Sequence, residues 1–347
     1  MKAAVFAGAR RPLRIERVAD PQPAAGELVL RVTACGICGS DLHIADVDDA
    51  AGGVPPLPLG AVMGHEFAGE VVDAAADVRA AWRDGTRVTA LPTLGCGQCA
   101  ACLSGQGTRC PTRASLGLGR EPGAYAEYVR VSALETIALP GNVDDDSAAT
   151  VEPLAVGLRA VNVAKLERGD DVLVIGSGPI GLAVSAWCRF FGARHIVATD
   201  LFPARLERAA RMGASATIDA SLENVVARVK TIAGARPRVI FDCVGAPGSL
   251  QLAMDYAPSE GRIVVAGVCM QPDRVLPAKA ISKELQLNFV YAYRRQDFAF
   301  TVDMLAAGRM DSRPMVSGKV GFDAFPATFE NLKSAKNECK VLLDPLG

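Results

Sequence analysis

The stretch 171–191 restricts the fold of this chain more than any other. Asp171-Val172-Leu173-Val174-Ile175 has the length and apolarity of a buried strand, Gly176-Ser177-Gly178-Pro179-Ile180-Gly181 follows it directly, and a helix-like run over 182–191 comes next. A G-x-G-x-x-G pattern alone is weak evidence. Between a strand and a helix its glycines have defined uses: a tight turn, close approach of backbone to a pyrophosphate, and packing of helix on strand. The N-terminus of that helix then carries phosphate charge. A second strand over 195–199 ends at Asp200, where a carboxylate can accept both adenosine-ribose hydroxyls and would repel a 2′-phosphate. That favours NAD over NADP, with Arg205 as a counterweight five residues on.

The alternation continues with strands near 216–218, 238–242, 262–266 and 285–293 and helices near 223–233 and 250–256. This βαβ rhythm predicts a doubly wound parallel sheet. The loops holding Val244 and Val268 would line its cofactor crevice.

Before residue 150 the pattern is different. Short β-rich runs such as 28–32 and 69–72, broken by Gly, Pro and Asp, predict a small barrel-like β domain. The stretch 45–58, with Gly52-Gly53 and Pro55-Pro56, reads as a surface loop. Asp144-Asp145-Asp146-Ser147 suits a helix N-terminus. A helix near 298–307 and short strands up to 343 complete the chain and pack back onto the first domain. A length of 347 residues fits about two domains.

Ten cysteines are present, and six fall between positions 35 and 110. The opening residues break into Arg10-Arg11-Pro12 before a signal-length apolar core forms, and the most apolar run is interrupted by glycines and Pro179, so the protein reads as cytoplasmic and without a membrane span. In a reducing compartment such clustering points to metal. Cys96-Gly97-Gln98-Cys99-Ala100-Ala101-Cys102 followed by Cys110 can close four thiolates around one ion within a single loop, and a closed structural zinc is preferred to an iron–sulfur cluster. A second constellation is Cys35-Gly36-Ile37-Cys38-Gly39-Ser40-Asp41-Leu42-His43 together with Gly64-His65-Glu66. Only three histidines exist in the chain, and two of them stand beside these ligand-type side chains. Glu152, in an apolar setting, must meet solvent or a cation. With 37 basic against 38 acidic residues there is no field to hold a polyanion, so nucleic acid is excluded as a partner and small molecules are favoured.

These four motifs, in this order, resemble the zinc-dependent medium-chain dehydrogenase/reductase family, which includes alcohol, sorbitol and threonine dehydrogenases. The resemblance covers essentially the whole chain. It implies an α/β protein with a GroES-like, β-barrel-like catalytic zinc domain over 1–152, carrying the structural lobe 95–111 and completed by 294–347, and a Rossmann NAD-binding domain over 153–293. It implies a catalytic zinc on Cys38 and His65, completed by Glu66 or by Glu152, which stands where alcohol dehydrogenases have a cysteine. Cys35 falls back to a packing residue, and Asp41 to a local acceptor near the metal site. The implied reaction moves hydride between an alcohol and NAD, with Ser40 taking the hydroxyl proton and His43 releasing it at the surface. Polyol-type relatives carry an Arg-Tyr pair late in the coenzyme domain, whereas this chain has Ala292-Tyr293; with Pro92 and Leu94 apolar, a secondary or cyclic alcohol and its ketone are expected. A homodimer or homotetramer joined through the strand near 287–291 is also implied. The competing readings are an NADPH-linked aldehyde reductase and a non-catalytic metal- and nucleotide-binding sensor.

Overall fold

The computed structural model describes residues 1–48, 56–119, 121–335 and 337–347. The middle of the expected surface loop, 49–55, lies outside the described residues. The chain forms two compact units, one of Met1–Glu152, Tyr293–Gly308 and Val316–Gly347, the other of Pro153–Ala292 and Arg309–Met315.

In the first unit the strand Glu27–Gly36 is the spine of a seven-stranded sheet. It pairs antiparallel with Glu66–Ala74, Tyr128–Ser132 and Lys340–Leu343. Val316–Val320, Arg87–Ala90 and Thr136–Ala138 extend the sheet, and only the Val316–Val320 pairing with Lys340–Leu343 is parallel. Being covered on both faces, the spine is buried at consecutive positions rather than alternating: Leu28, Val29 and Leu30, then Val32, Thr33, Ala34 and Cys35 are all buried. Two register shifts against Glu66–Ala74 bend the pair, as bulges do. Phe67, Val88, Tyr125, Val129, Phe325 and Phe329 fill the core beneath it. The register sets Gly36 opposite Glu66 and Leu342 opposite Gly36, so the segments containing Cys38, His65 and Lys340 meet at one end of the sheet.

The second unit holds six parallel strands in the order Ala216–Asp219, His195–Asp200, Asp171–Ile175, Val239–Asp242, Arg262–Val265, Gln286–Phe289. The order reverses between Asp171–Ile175 and Val239–Asp242, the switch point at which such sheets bind ligands. The last strand ends at Phe289, short of the expected 293. Ala292 takes a left-handed conformation, φ 50°, which no regular strand accommodates, and Tyr293 already belongs to the first unit. Residues 309–315 group with the second unit, although the sequence reading places them in the run 294–347 that completes the first domain. The physical reason is packing: the turn Arg313–Met315 lies on the helix Pro203–Arg211, and the Arg309 guanidinium sits over Phe190. The expected helix after Asp144 begins as a single turn, Asp145–Ala148, capped by the Asp144 carboxylate, before the longer helix Val151–Ala164.

Candidate active site

Cys38 precedes the short helix Gly39–Ile44, just beyond the spine strand, and His65 stands immediately before Glu66–Ala74. One donor atom each from Cys38, His65 and Glu66 lies within 4.8 Å of the others. Two glycines make this possible. A Cβ on Gly36 would fall 2.4 Å from Glu66 Oε2, and one on Gly64, whose φ is 95°, would fall 2.5 Å from the Tyr125 ring. Ser40 Oγ donates to Cys38 Sγ at 3.2 Å and lies 3.4 Å from His65 Nε2. The other ring nitrogen, Nδ1, is 3.1 Å from Asp41 Oδ1, an ion-pair distance, and neither of these two buried atoms has a hydrogen-bond partner. Burial alone would lower the pKa of His65, but the Asp41 carboxylate and the Cys38 sulfur outweigh it and hold the ring well above its ordinary value. A thiolate, an imidazole and a carboxylate converging here, with the second imidazole nitrogen facing a carboxylate, is a donor set that fits zinc.

Glu152 stands outside that tight set. Burial pushes its pKa up to about 7, partly countered by His65. His43 is exposed on the same short helix as Ser40.

In the lobe, the sulfurs of Cys96, Cys99, Cys102 and Cys110 converge within 4.8 Å. Cys99 and Cys102 sulfurs are 3.6 Å apart, close to the roughly 3.8 Å between corners of a tetrahedron with metal–sulfur bonds of about 2.3 Å. Backbone N–H groups of Cys96 and Cys99 donate to Cys110 and Cys96 sulfurs, both at 3.4 Å. The Thr112 hydroxyl and the Cys96 N–H pull the Cys110 thiol down to about 6, whereas burial pushes Cys102 up to about 12. A Cβ on Gly95 would meet Cys102 Sγ at 2.8 Å, so the loop closes only with glycine there. Four sulfurs with N–H donors aimed at them fit a closed zinc site.

In the second unit, Gly176 and Gly181 of the 176–181 motif have a geometric reason, while a Cβ on Gly178 would meet nothing within 4 Å. Gly176 has φ 90° and leaves room for Val244, Gly178 precedes the helix Pro179–Phe190, and a Cβ on Gly181 would collide with Gly176 O at 1.8 Å. Pro179 opens the helix, where its missing N–H costs nothing, and Ile180 follows half-buried. Asp200 closes its strand; Oδ2 accepts from Ser177 N at 2.8 Å, and Oδ1 accepts from Leu201 N and Phe202 N at 2.8 and 3.2 Å. Arg205 Nη1 lies 3.8 Å from Asp200, with its guanidinium over Phe202. Val244 and Val268 are exposed on neighbouring loops, and a Cβ on Gly245 would be 2.5 Å from Val268 N. The motif, the aspartate and both loops thus gather at one edge of the sheet, an arrangement that fits a dinucleotide.

Residues 24–141 match the alcohol dehydrogenase GroES-like domain, and residues 179–307 match the zinc-binding dehydrogenase domain. A sorbitol dehydrogenase of Bacillus subtilis strain 168 is 31% identical over 99% of this chain and 97% of its own length. The chain belongs to the zinc-dependent medium-chain dehydrogenase/reductase family. Among solved structures, the alcohol dehydrogenase TADH of Thermus sp. ATN1 is 31% identical with a TM-score of 0.89, covering 99% of each chain. A zinc-binding dehydrogenase structure from Sinorhizobium meliloti 1021, solved with NADP, is 28% identical with a TM-score of 0.87, again over 99% of each. As a member of this dehydrogenase family, the protein is an oxidoreductase acting on alcohols or polyols with zinc and a nicotinamide cofactor. Among the described residues, no helix is long and apolar enough to cross a membrane.

The dehydrogenase site also holds groups that the sequence reading passes over. Lys340, 1% exposed, donates from Nζ to Glu66 Oε2 and to Ile37 O, the latter at 2.8 Å. The available signal is a lysine heading the apolar strand Lys340-Val341-Leu342-Leu343, because a cation buried there requires a carboxylate. Tyr125 is another, with its hydroxyl on the Asp41 carboxylate.

Proposed function

We propose that this protein is an NAD-dependent dehydrogenase of secondary or cyclic alcohols, giving the ketone, with one catalytic and one structural zinc per chain. The observation that carries the reading is the convergence of Cys38, His65 and Glu66 beside Ser40. Cys38 and His65 hold the catalytic metal, with Glu66 or Glu152 completing the set; Cys96, Cys99, Cys102 and Cys110 hold the structural one. Bound at Cys38 and His65, zinc lowers the pKa of an alcohol hydroxyl so that it ionises near neutral pH, as it does for water. Ser40 Oγ takes the hydroxyl proton, and His43, exposed on the same helix, passes it to solvent. A nicotinamide cofactor held at Gly176, Gly178, Gly181 and Asp200 would supply the hydride acceptor for the substrate carbon.

Asp200 supports NAD, since a carboxylate at the end of that strand accepts ribose hydroxyls and repels a 2′-phosphate. Arg205 and the NADP found in the Sinorhizobium structure are the features on the other side. Ala292, standing where polyol-type relatives carry an arginine before the tyrosine, supports a moderately apolar substrate. Leu287, Phe289 and Tyr291, exposed at and just beyond the edge strand Gln286–Phe289, support pairing of that edge with a second copy in a homodimer or homotetramer. The protein is expected to be cytoplasmic.

The test is steady-state kinetics on secondary, cyclic and polyol substrates with each cofactor. The reading expects kcat/KM at least about tenfold higher with NAD than with NADP, and higher for secondary or cyclic alcohols than for polyols. A preference for NADP or for sugar alcohols overturns the corresponding part.

A further inference from the structure

Tyr125 is completely buried, yet the mechanism above gives its hydroxyl nothing to do. Its ring lies against Phe325 and Phe329, with centroids 4.8 and 6.3 Å away, in a setting where phenylalanine would pack equally well. A buried phenol is retained at no cost only when its O–H finds a strong acceptor. Here it does: the hydroxyl donates to Asp41 Oδ2 at 2.5 Å. The Cys38 N–H donates to the same oxygen at 3.1 Å, which leaves Oδ1 to face His65 Nδ1. Asp41 is wholly excluded from water, so no solvent molecule replaces a lost donor.

The same tyrosine also shapes the backbone that carries His65. Its N–H donates to Met63 O at 2.8 Å, and its ring fills the space a side chain at position 64 would need. Tyr125 therefore touches the histidine's setting from two directions. The ring fixes the chain just before His65, and the hydroxyl fixes the carboxylate that orients the imidazole.

We propose that Tyr125 is a positioning residue for the metal centre: its hydroxyl holds Asp41 in the rotation that directs Oδ1 to His65 Nδ1, and thereby aims Nε2 at the metal. This rests on the reading of His65 as a zinc ligand. The Tyr125 hydroxyl touches no reacting atom and acts on the imidazole through Asp41.

The experiment uses the zinc-loaded full chain and the variants Tyr125→Phe, Asp41→Asn, their double variant, and His65→Ala as control. Zinc release to a colorimetric chelator, kcat and the thermal midpoint of each zinc-free protein are measured. Tyr125→Phe keeps the ring contacts but takes one donor from the buried Asp41 carboxylate, so its zinc-free midpoint is expected to fall by about 2–10 °C while the protein stays folded. Zinc release is expected to be about tenfold faster and kcat about tenfold lower, the usual scale for losing an outer hydrogen bond to a metal ligand. In the Asp41→Asn background the same change should add less than about twofold, because both act through one carboxylate. Zinc release and kcat within about twofold of wild type, or a full-sized additional effect of Tyr125→Phe on top of Asp41→Asn, overturns the proposal. If His65→Ala loses one zinc while Tyr125→Phe changes nothing, the metal reading stands and Tyr125 is only a packing residue; if His65→Ala loses none, the metal reading itself has failed.

Discussion

The two sulfur-bearing centres of this protein are assembled by opposite means. The lobe takes every donor from the loop 96–110, turned by glycines, with backbone N–H groups aimed at the sulfurs. The Cys38 site collects its donors from the ends of two strands and surrounds them with buried charge: Asp41 behind His65, and Lys340 on Glu66. The lobe needs only its own sequence to close. The Cys38 site needs the register of the whole sheet, with Asp41 and Lys340 held against His65 and Glu66. An open coordination position and tunable neighbours suit catalysis, whereas four thiolates leave nothing open.

The largest expected contrast is between ligand losses at the two centres. Cys38→Ser should lower kcat by more than about a hundredfold while NAD binding, followed by fluorescence quenching, is retained; the scale exceeds that for outer-sphere changes. Cys99→Ser should act mainly on stability or assembly, seen as a lower thermal midpoint with kcat per loaded Cys38 site preserved. Equal losses of kcat in both would erase the distinction.

Lys340→Met tests the buried charge directly. Glu66 and Lys340 are each 1% exposed, so removing the cation strands a carboxylate, at a cost of about 3–5 kcal/mol in urea unfolding. A cost under about 1 kcal/mol would show that the pair is solvated, as at a surface.

Much of this contrast could be read from sequence, for a physical reason. The glycine motif and the lobe are local, so spacing alone carries their geometry, and the alternation of strand and helix is enough to imply a parallel sheet, though not the order of its strands. Cys38, His65 and Glu66 announce themselves by residue type. Lys340 and Tyr125 do not. Their meaning comes from the register that sets residue 342 against 36 and 36 against 66, and from a ring seated on Gly64. The strand end at Phe289 was equally illegible, because nothing in Tyr291-Ala292-Tyr293 signals the positive φ at Ala292.

Acid should separate the centres further. His65 is held well above its usual pKa by Asp41 and Cys38, so in the zinc-free protein it keeps its proton at neutral pH, and zinc entry must expel it. Zinc affinity at this site should therefore rise with pH through neutrality and weaken as pH falls, which competition with a calibrated chelator between about pH 6 and 8 will show. A flat profile would mean that His65 is not a ligand.

The smallest expected effect is that of Glu152→Gln. Since Glu152 lies outside the tight set, the change should lower kcat by about tenfold or less, the scale of an outer partner. A loss as large as that of Cys38→Ser would place Glu152 on the metal instead of Glu66.

Zinc content per chain, measured by atomic emission on wild type and His65→Ala purified side by side, bears most directly on the division between an assembled catalytic centre and a self-contained lobe. The account predicts about two zincs in wild type and about one in the variant, with the remaining zinc lost only when a lobe cysteine is also replaced. A single zinc in wild type that survives His65→Ala would contradict it.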